Sequence, residues 1–287
     1  RGDTGFLRTL TVREGKRTGD RLLALTTSTA ERASMDNTEH AAEDVARAFV
    51  AAATQIFGDL GAPVTTAYWM QHHAQRGQPT RLIEHHLLGP ATFREILHLP
   101  GDHELEFEIH PTAFFQPNTM QAEVLYATAL EYTGLMHDEA STVLDLYCGT
   151  GTIGLCMAPY AKRVFGIELN ASAVENARIN AAHNGIEHAE FFVGDVGKVL
   201  ESSAFRAATH GVDVIVVDPP RSGLLPQARE QLRSFDVPRL VYVSCNPETL
   251  ARDAAELCAH GYTLHDVQPV DMFPHTYHIE NVARFTR

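Results

Sequence analysis

Cys245 lies in LVYVSCNPETLARD, Leu240 to Asp253, at the turn that follows an apolar, β-branched run. A thiol in such a place can be core filler, a redox group or a nucleophile, and the residues that share its end of the fold decide which. Asp218 stands in VDVIVVDPPRSG, again straight after an apolar run. Pro219 and Pro220 fix the backbone there and leave carbonyls without competing N–H groups. Gly149, Gly151 and Gly154 make G-x-G-x-x-G in DLYCGTGTIG, and Glu168 ends the next apolar run in KRVFGIELN. Near the end of the chain, DMFPHTYHIE gathers Asp271, His275, His278 and Glu280.

The glycines allow a tight turn and close approach of backbone to a ligand, and an acid one strand later can accept both hydroxyls of a ribose. That pair fits a nicotinamide dinucleotide or S-adenosylmethionine, which share an adenosine half. Asp218-Pro-Pro discriminates between them. An acid at the end of a central strand followed by two prolines is a pattern of methyltransferases acting on bases or amides, and hydride transfer has no need of it. Cys245 ends the next strand and should face the same crevice. C5 of uracil is a poor nucleophile, but a thiolate adding to C6 turns the ring into an enolate whose C5 can attack a methyl sulfonium. A base must then take the C5 proton, and the Asp271 to Glu280 cluster is the remaining source of one.

These residues need a scaffold with strand ends at one edge. After Pro111, strand-like runs alternate with helical ones: STVLDLYCG, KRVFGIELN, AEFFVGD, VDVIVVDPP and RLVYVSCNP, with helices from about Thr152, Ala171, Leu225 and Glu248. Apolar runs spaced by helices predict a mostly parallel sheet covered on both faces. YTLHDVQPVD and IENVARFTR close the chain as an antiparallel pair. Residues 1–110 read as a smaller α+β domain and 111–287 as the catalytic domain. In the first, GFLRTLTVREG and DRLLALTTS flank the turn GKRTGD, and a helix runs from an N-cap at Asp36 or Asn37 to a stop near Gly61. Four more strand-like runs follow it.

Composition sets limits. The formal net charge of −13 argues against a broad basic surface for nucleic acid and leaves room only for a local groove. No apolar run approaches a membrane span, and RGDTGFLRTL has no signal core, so a cytoplasmic protein with no membrane partner is expected. Arg1 in place of Met implies a trimmed start. Cys148, Cys156 and Cys258 read as small buried residues without CxxC spacing. The adjacent pairs His72-His73 and His85-His86 would point to opposite faces of their strands, so no metal site is expected.

FFQPN, LDLYCGTGTIG, DPPRSGL, VSCNPETLARD and DMFPHTYHIE, in this order and approximate spacing, resemble the RNA uracil-C5 methyltransferase family, which makes 5-methyluridine in tRNA and ribosomal RNA. The resemblance covers most of the chain and is strongest from Phe114 onward. It implies a Rossmann-like class I methyltransferase domain, S-adenosylmethionine as cofactor and structured RNA as partner. It makes Cys245 the nucleophile and Glu280 the base. Gln116, Tyr147, Gly149, Thr152, Glu168, Asp195 and Asp218 would line the cofactor pocket; Thr152 departs from the Asn of some members. Arg221, with Asp218, would face the substrate, unless Arg221 serves only as a salt bridge. Many members carry an N-terminal RNA-binding β-barrel, which this sequence does not suggest. Some carry an iron–sulfur cluster, but no cysteine precedes Cys148, so no cluster is expected. A monomer is expected. Two other functions stay open: an exocyclic-amine methyltransferase that needs no thiol, and a non-catalytic RNA-binding or folding factor. The residues do not choose between the tRNA T-loop and large-subunit ribosomal RNA.

Overall fold

The structure, a computed structural model, describes residues 6–28, 39–74, 77, 80–138, 140–235 and 237–287. It divides into two compact units: the described residues within Arg1–Ile96 with Phe107–Thr112, and Leu97–Glu106 with Ala113–Arg287.

The first unit is built on an open sheet in the order β1 (Leu7–Glu14), β2 (Arg21–Ser28), β3 (Thr66–His73) and β4 (Arg81–Leu88). The outer pairs are antiparallel. The central pair, β2 and β3, is parallel, because the helix α1 (Glu39–Asp59) crosses over between them. The expected N-cap at Asp36 or Asn37 lies outside the described residues. Along β2 and β3, alternate residues Leu23, Leu25, Ala67 and Trp69 turn to one face and pack with Ala42, Ala46 and Val50 of α1. Trp69 is fully buried; its indole N–H donates to Thr27 Oγ1 at 2.9 Å and its ring stacks on His85 at 4.4 Å. His86 lies instead against Tyr68, at 4.9 Å between centroids and tilted by 35°, so the adjacent histidines do face opposite ways. The buried Glu95 carboxylate accepts from the backbone N–H groups of Lys16 and Arg17 at 2.7 and 3.1 Å, which pins the expected β1–β2 turn. The strands β5 (Phe93–Leu99) and β6 (His103–Ile109) pair as a separate ribbon.

The second unit holds a seven-stranded sheet. Its strands are β7 (Thr142–Leu146), β8 (Arg163–Glu168), β9 (Ala189–Val193), β10 (Val214–Val217), β11 (Arg239–Ser244), β12 (Thr263–Val270) and β13 (Glu280–Thr286), in the order β12-β13-β11-β10-β7-β8-β9. Only β13 runs against the others, slotted antiparallel between β11 and β12. The chain winds outward from β7 through β8 to β9, then returns to β10 on the other side. That reversal opens a crevice at the carboxyl ends of β7 and β10, where open α/β sheets bind ligands. One face packs against α5 (Val196–Glu201), α6 (Ser203–Ala208), α7 (Pro226–Ser234) and α8 (Pro247–Ala259) in a core that includes Leu144, Phe165, Ile215, Tyr242 and Phe285. The helices α2 (Thr119–Thr133), α3 (Thr152–Met157) and α4 (Ala171–His183) pack against strands of the same sheet. Both short helices after β9 were absent from the sequence reading. Their signals are the N-caps: Asp195 accepts from Lys198 N and Ser202 from Phe205 N.

The two edges of this sheet differ. β12 carries Pro269 and a register shift between Leu264 and Asp266. At β9, the Arg178 guanidinium donates to the Phe191 carbonyl at 2.7 Å.

Trp69 is the only tryptophan, so its fluorescence reports the first unit. Thr27→Val keeps the volume but leaves the buried indole N–H without its acceptor. It should lower the stability read by tryptophan fluorescence in urea by about 1–3 kcal/mol; an unshifted midpoint would mean that this hydrogen bond contributes nothing.

Candidate active site

The glycine turn follows β7 directly. Tyr147 takes the left-handed backbone at φ 64°, and Gly149 follows at φ 55°. Gly154 is required by space: a Cβ there would meet Asp145 Oδ2 at 2.9 Å, and the Gly154 N–H donates to that oxygen at 2.9 Å. Asp145, fully buried beneath the turn, has no donor for Oδ1. Burial, with the Glu168 charge adding to it and the Gly154 hydrogen bond opposing, raises its carboxyl to about 7. Glu168, at the end of β8, accepts from Gly149 N at 3.2 Å and Asn170 N at 2.8 Å. The first bond ties it to the glycine turn. Thr152 is buried and shares a hydrogen bond with Thr150 at 3.1 Å, and Thr150 reaches the Phe114 carbonyl at 3.5 Å. This links the turn to FFQPN, where Gln116 is buried with Oε1 unpartnered. Asn118 N-caps α2 and donates to the Met272 carbonyl at 3.2 Å, joining the same segment to the 271–279 loop.

Tyr147 is half-buried, and burial pushes its phenol up to about 12; the nearby Leu225 backbone opposes the shift without supplying a hydrogen bond of normal geometry. Asp195 caps α5 through one oxygen and leaves the other available.

The strand ends bring the reactive residues together. Asp218 N donates to the Leu146 carbonyl at 3.2 Å, which sets Asp218 beside the glycine turn. The ladder between β11 and β13 ends at Ser244 opposite Asn281, so one step further the register sets Cys245 against Glu280. Cys245 is half-buried and Glu280 is 5% exposed. Cys245, Arg221, Asn246, Tyr277 and His278 line a cleft of about 310 Å³. Burial raises the Glu280 carboxyl, and the Arg221 charge pulls it back. Burial, then Glu280 and Asp145, hold Asp218 well above the usual carboxylate range. Burial, Glu280 and Asp218 raise the Cys245 thiol, while a hydrogen bond and charge from Arg221 oppose them. Arg221 is therefore a counter-charge for the thiol as well as a surface cation.

Asp253, the last residue of VSCNPETLARD, was not singled out in the sequence. It is fully buried and accepts from Leu224 N at 2.7 Å, Tyr242 Oη at 2.8 Å, Arg252 Nη2 at 2.9 Å and Arg229 Nη1 at 3.2 Å. It joins the loop after Asp218-Pro-Pro to β11 and α8. Gly223, at φ 78°, lies so close that a Cβ would meet Asp253 Oδ2 at 2.5 Å. Asn246 caps α8 and donates to the Arg221 carbonyl at 3.1 Å, so the residue after Cys245 ties its turn to the Arg221 loop. The available signal was an acid at the apolar stripe of α8, with Leu250, Ala254 and Leu257. Cys258 corrects the sequence reading: it is exposed, because the preceding position, Leu257, occupies that stripe. Cys148 and Cys156 are buried as expected. Among the described residues no cluster of His, Cys, Asp and Glu could hold a metal, and no helix is long and apolar enough to cross a membrane.

A family model described as tRNA (uracil-5-)-methyltransferase matches residues 87–286. The chain belongs to this family. It is 42% identical over 290 residues to an "Uncharacterized RNA methyltransferase" of Protochlamydia amoebophila, an alignment that covers 99% of this chain and 63% of that protein. It also superposes on the Pyrococcus abyssi tRNA (uracil-54, C5)-methyltransferase, solved in complex with S-adenosyl-L-homocysteine. That match has a TM-score of 0.73 and 31% identity, and it covers 99% of this chain and 61% of that one. A putative SAM-dependent methyltransferase from Streptococcus mutans, with a TM-score of 0.57 and 14% identity over 100% of this chain and 76% of that one, shares the fold. The chain thus spans somewhat under two thirds of the first two proteins. The expected α/β architecture of a methyltransferase family member, with one antiparallel strand in the sheet, is the one observed.

The acceptors of the crevice suit a ligand rich in donors. Gln116, Glu168, Asp195 and Asp218 could hold such a ligand through their side-chain oxygens. S-adenosylmethionine, with its ammonium, ribose hydroxyls and adenine amine, is such a ligand.

Two predictions follow from the buried acids. Asp145 stabilises the fold while protonated, so its contribution is fully present below about pH 4 and is lost as pH rises through about 7. Asp145→Asn keeps an acceptor for Gly154 and cannot ionise. Between about pH 5 and about pH 8 the wild type should lose on the order of 2 kcal/mol relative to Asn in urea unfolding; a gap that does not change with pH would contradict the raised pKa. Asp253→Ala strands a buried Tyr242 hydroxyl and a guanidinium, and should cost about 3–5 kcal/mol in the same assay. A loss below about 1 kcal/mol would mean that the network relaxes onto other partners.

Proposed function

We propose that this chain carries out methyl transfer from S-adenosylmethionine to C5 of a uridine in structured RNA, by covalent catalysis from Cys245. The observation that carries the reading is the register that sets Cys245 at the end of β11 against Glu280 at the start of β13, beside Asp218. Gln116, Tyr147, Gly149, Thr152, Glu168, Asp195 and Asp218 would hold the cofactor, which supplies an electrophilic methyl group. The Pyrococcus abyssi neighbour, a tRNA uracil-54 enzyme with the demethylated cofactor bound, supports both substrate and cofactor.

The residues act in turn. The Cys245 thiolate forms a bond to C6, and the C5–C6 π electrons move toward O4 as an enolate. The bound cofactor would supply the methyl group that C5 takes, its sulfonium becoming a neutral thioether. Glu280 removes the C5 proton, the C5–C6 double bond re-forms, and the C6–sulfur bond breaks to return the thiolate. Burial makes Glu280 a stronger base than an exposed carboxylate, and Arg221 favours its ionised form. The target base must leave its stack to reach the crevice. Residues 1–110 would supply part of the RNA recognition, and the RNA would be a tRNA or ribosomal RNA.

RNA containing 5-fluorouridine tests the pathway, because fluorine at C5 leaves no proton for Glu280 to remove. With S-adenosylmethionine, a stable methylated protein–RNA adduct should form on denaturing gels and be absent from Cys245→Ala. On ordinary uridine RNA, Glu280→Gln should accumulate the methylated adduct. Absence of any adduct from the wild type with both tRNA and ribosomal RNA would sink the proposal, and methylation retained by Cys245→Ala would favour amine methylation through Asp218-Pro-Pro.

A further inference from the structure

The His275 and His278 pair in DMFPHTYHIE has no part in the chemistry above. His275 is exposed, at φ 68°. His278 is different: its Nδ1 lies 2.7 Å from Arg221 Nη2. A guanidinium has donors only, so the imidazole must accept through Nδ1 and carry its proton on Nε2. The ring is held in place for this. Tyr277 lies against it at 4.2 Å between centroids and Phe273 meets it edge-on at 6.4 Å, while its backbone N–H donates to Thr276 Oγ1 at 3.2 Å.

Arg221 needs such a brace. Its carbonyl is fixed by Asn246 and Thr249, but its side chain is long and exposed. The groups that act on the Cys245 sulfur come from three directions: Asp218 after β10, Arg221 in the following loop and Glu280 at the start of β13, while Glu248 at the start of α8 lines the same cleft. Asp218 and Glu280 are acids. Arg221 is the cation that offsets them at the sulfur, and its effect depends on where the guanidinium is held.

We propose that His278 is a positioning residue. Its imidazole, accepting through Nδ1, holds the Arg221 guanidinium beside Cys245 and so sets the reactivity of the thiol. This rests on the reading of Cys245 as the nucleophile. Because His278 acts through Arg221, removing its acceptor should slow the thiol's reactions without removing any group that touches the substrate.

The test is the rate at which Cys245 is alkylated by iodoacetamide in the free protein, followed by peptide mass spectrometry across a pH series. Cys258→Ser is the background, since Cys258 is exposed. Arg221→Ala sets the full loss. His278→Phe keeps the ring packing and lacks the acceptor; it should slow alkylation at neutral pH by roughly three- to tenfold and move the pH profile upward. His278→Asn, whose Oδ1 can accept where Nδ1 does, should restore most of the rate. Alkylation of His278→Phe at the wild-type rate, or an equal loss in Phe and Asn, would overturn the proposal. The readout needs no RNA, so its failure is distinguishable from failure of the fluorouridine adduct. A missing adduct with the alkylation pattern intact counts against methyl transfer and for the brace.

Discussion

One buried carboxylate, Asp253, fixes the geometry on which the crevice depends. A charge with no exposure survives in a core only when its lone pairs are met, and here they are met by donors from four parts of the chain. Leu224 N belongs to the loop after Asp218-Pro-Pro, Arg229 to α7, Tyr242 to the strand that leads into Cys245, and Arg252 to the helix that Asn246 caps. The loop carrying Arg221 and the turn carrying Cys245 thus share one anchor. Gly223 is the complement of this anchor, since any side chain there would collide with the carboxylate.

The antiparallel strand β13 solves a directional problem. Parallel strands deliver only their carboxyl ends to the crevice, and each then departs into a helix. By running the other way, β13 delivers its first residue, Glu280, to the same edge. The thiol and the carboxylate therefore come from neighbouring strands at matching register, with Tyr277, His278 and Ile279 lining the cleft beside the thiol. Glu280 and Asp218 disfavour a charged thiol at Cys245, and Arg221 opposes them.

Much of this was legible in the sequence for local reasons. Continuous apolar runs such as VIVV mark strands buried on both faces, and a glycine turn followed by an acid marks the first crossover. Cys245 and Asp218 were legible as ends of such runs, and Glu280 only as a member of the DMFPHTYHIE cluster that the family resemblance singles out. The partnerships were not. Arg221 with His278 spans 57 residues and Asp253 with Leu224 spans 29, and no local pattern encodes a hydrogen bond at such separations. The helices after β9 escaped because each is a turn and a half long, too short for periodicity, and only their caps declare them. Cys258 was misjudged because a cysteine one residue from a buried leucine lies about 100° around the helix from it.

The edges of the large sheet carry a consequence of their own. An exposed strand edge is a template on which another chain can add itself. On β12, Pro269 removes a backbone donor and the shift near Leu264 breaks the repeat of the ladder. On β9, the Arg178 guanidinium already occupies the Phe191 carbonyl. Neither rim therefore presents an uninterrupted row of free peptide groups, and the large sheet carries its own chemical guard against growing by edge-to-edge aggregation.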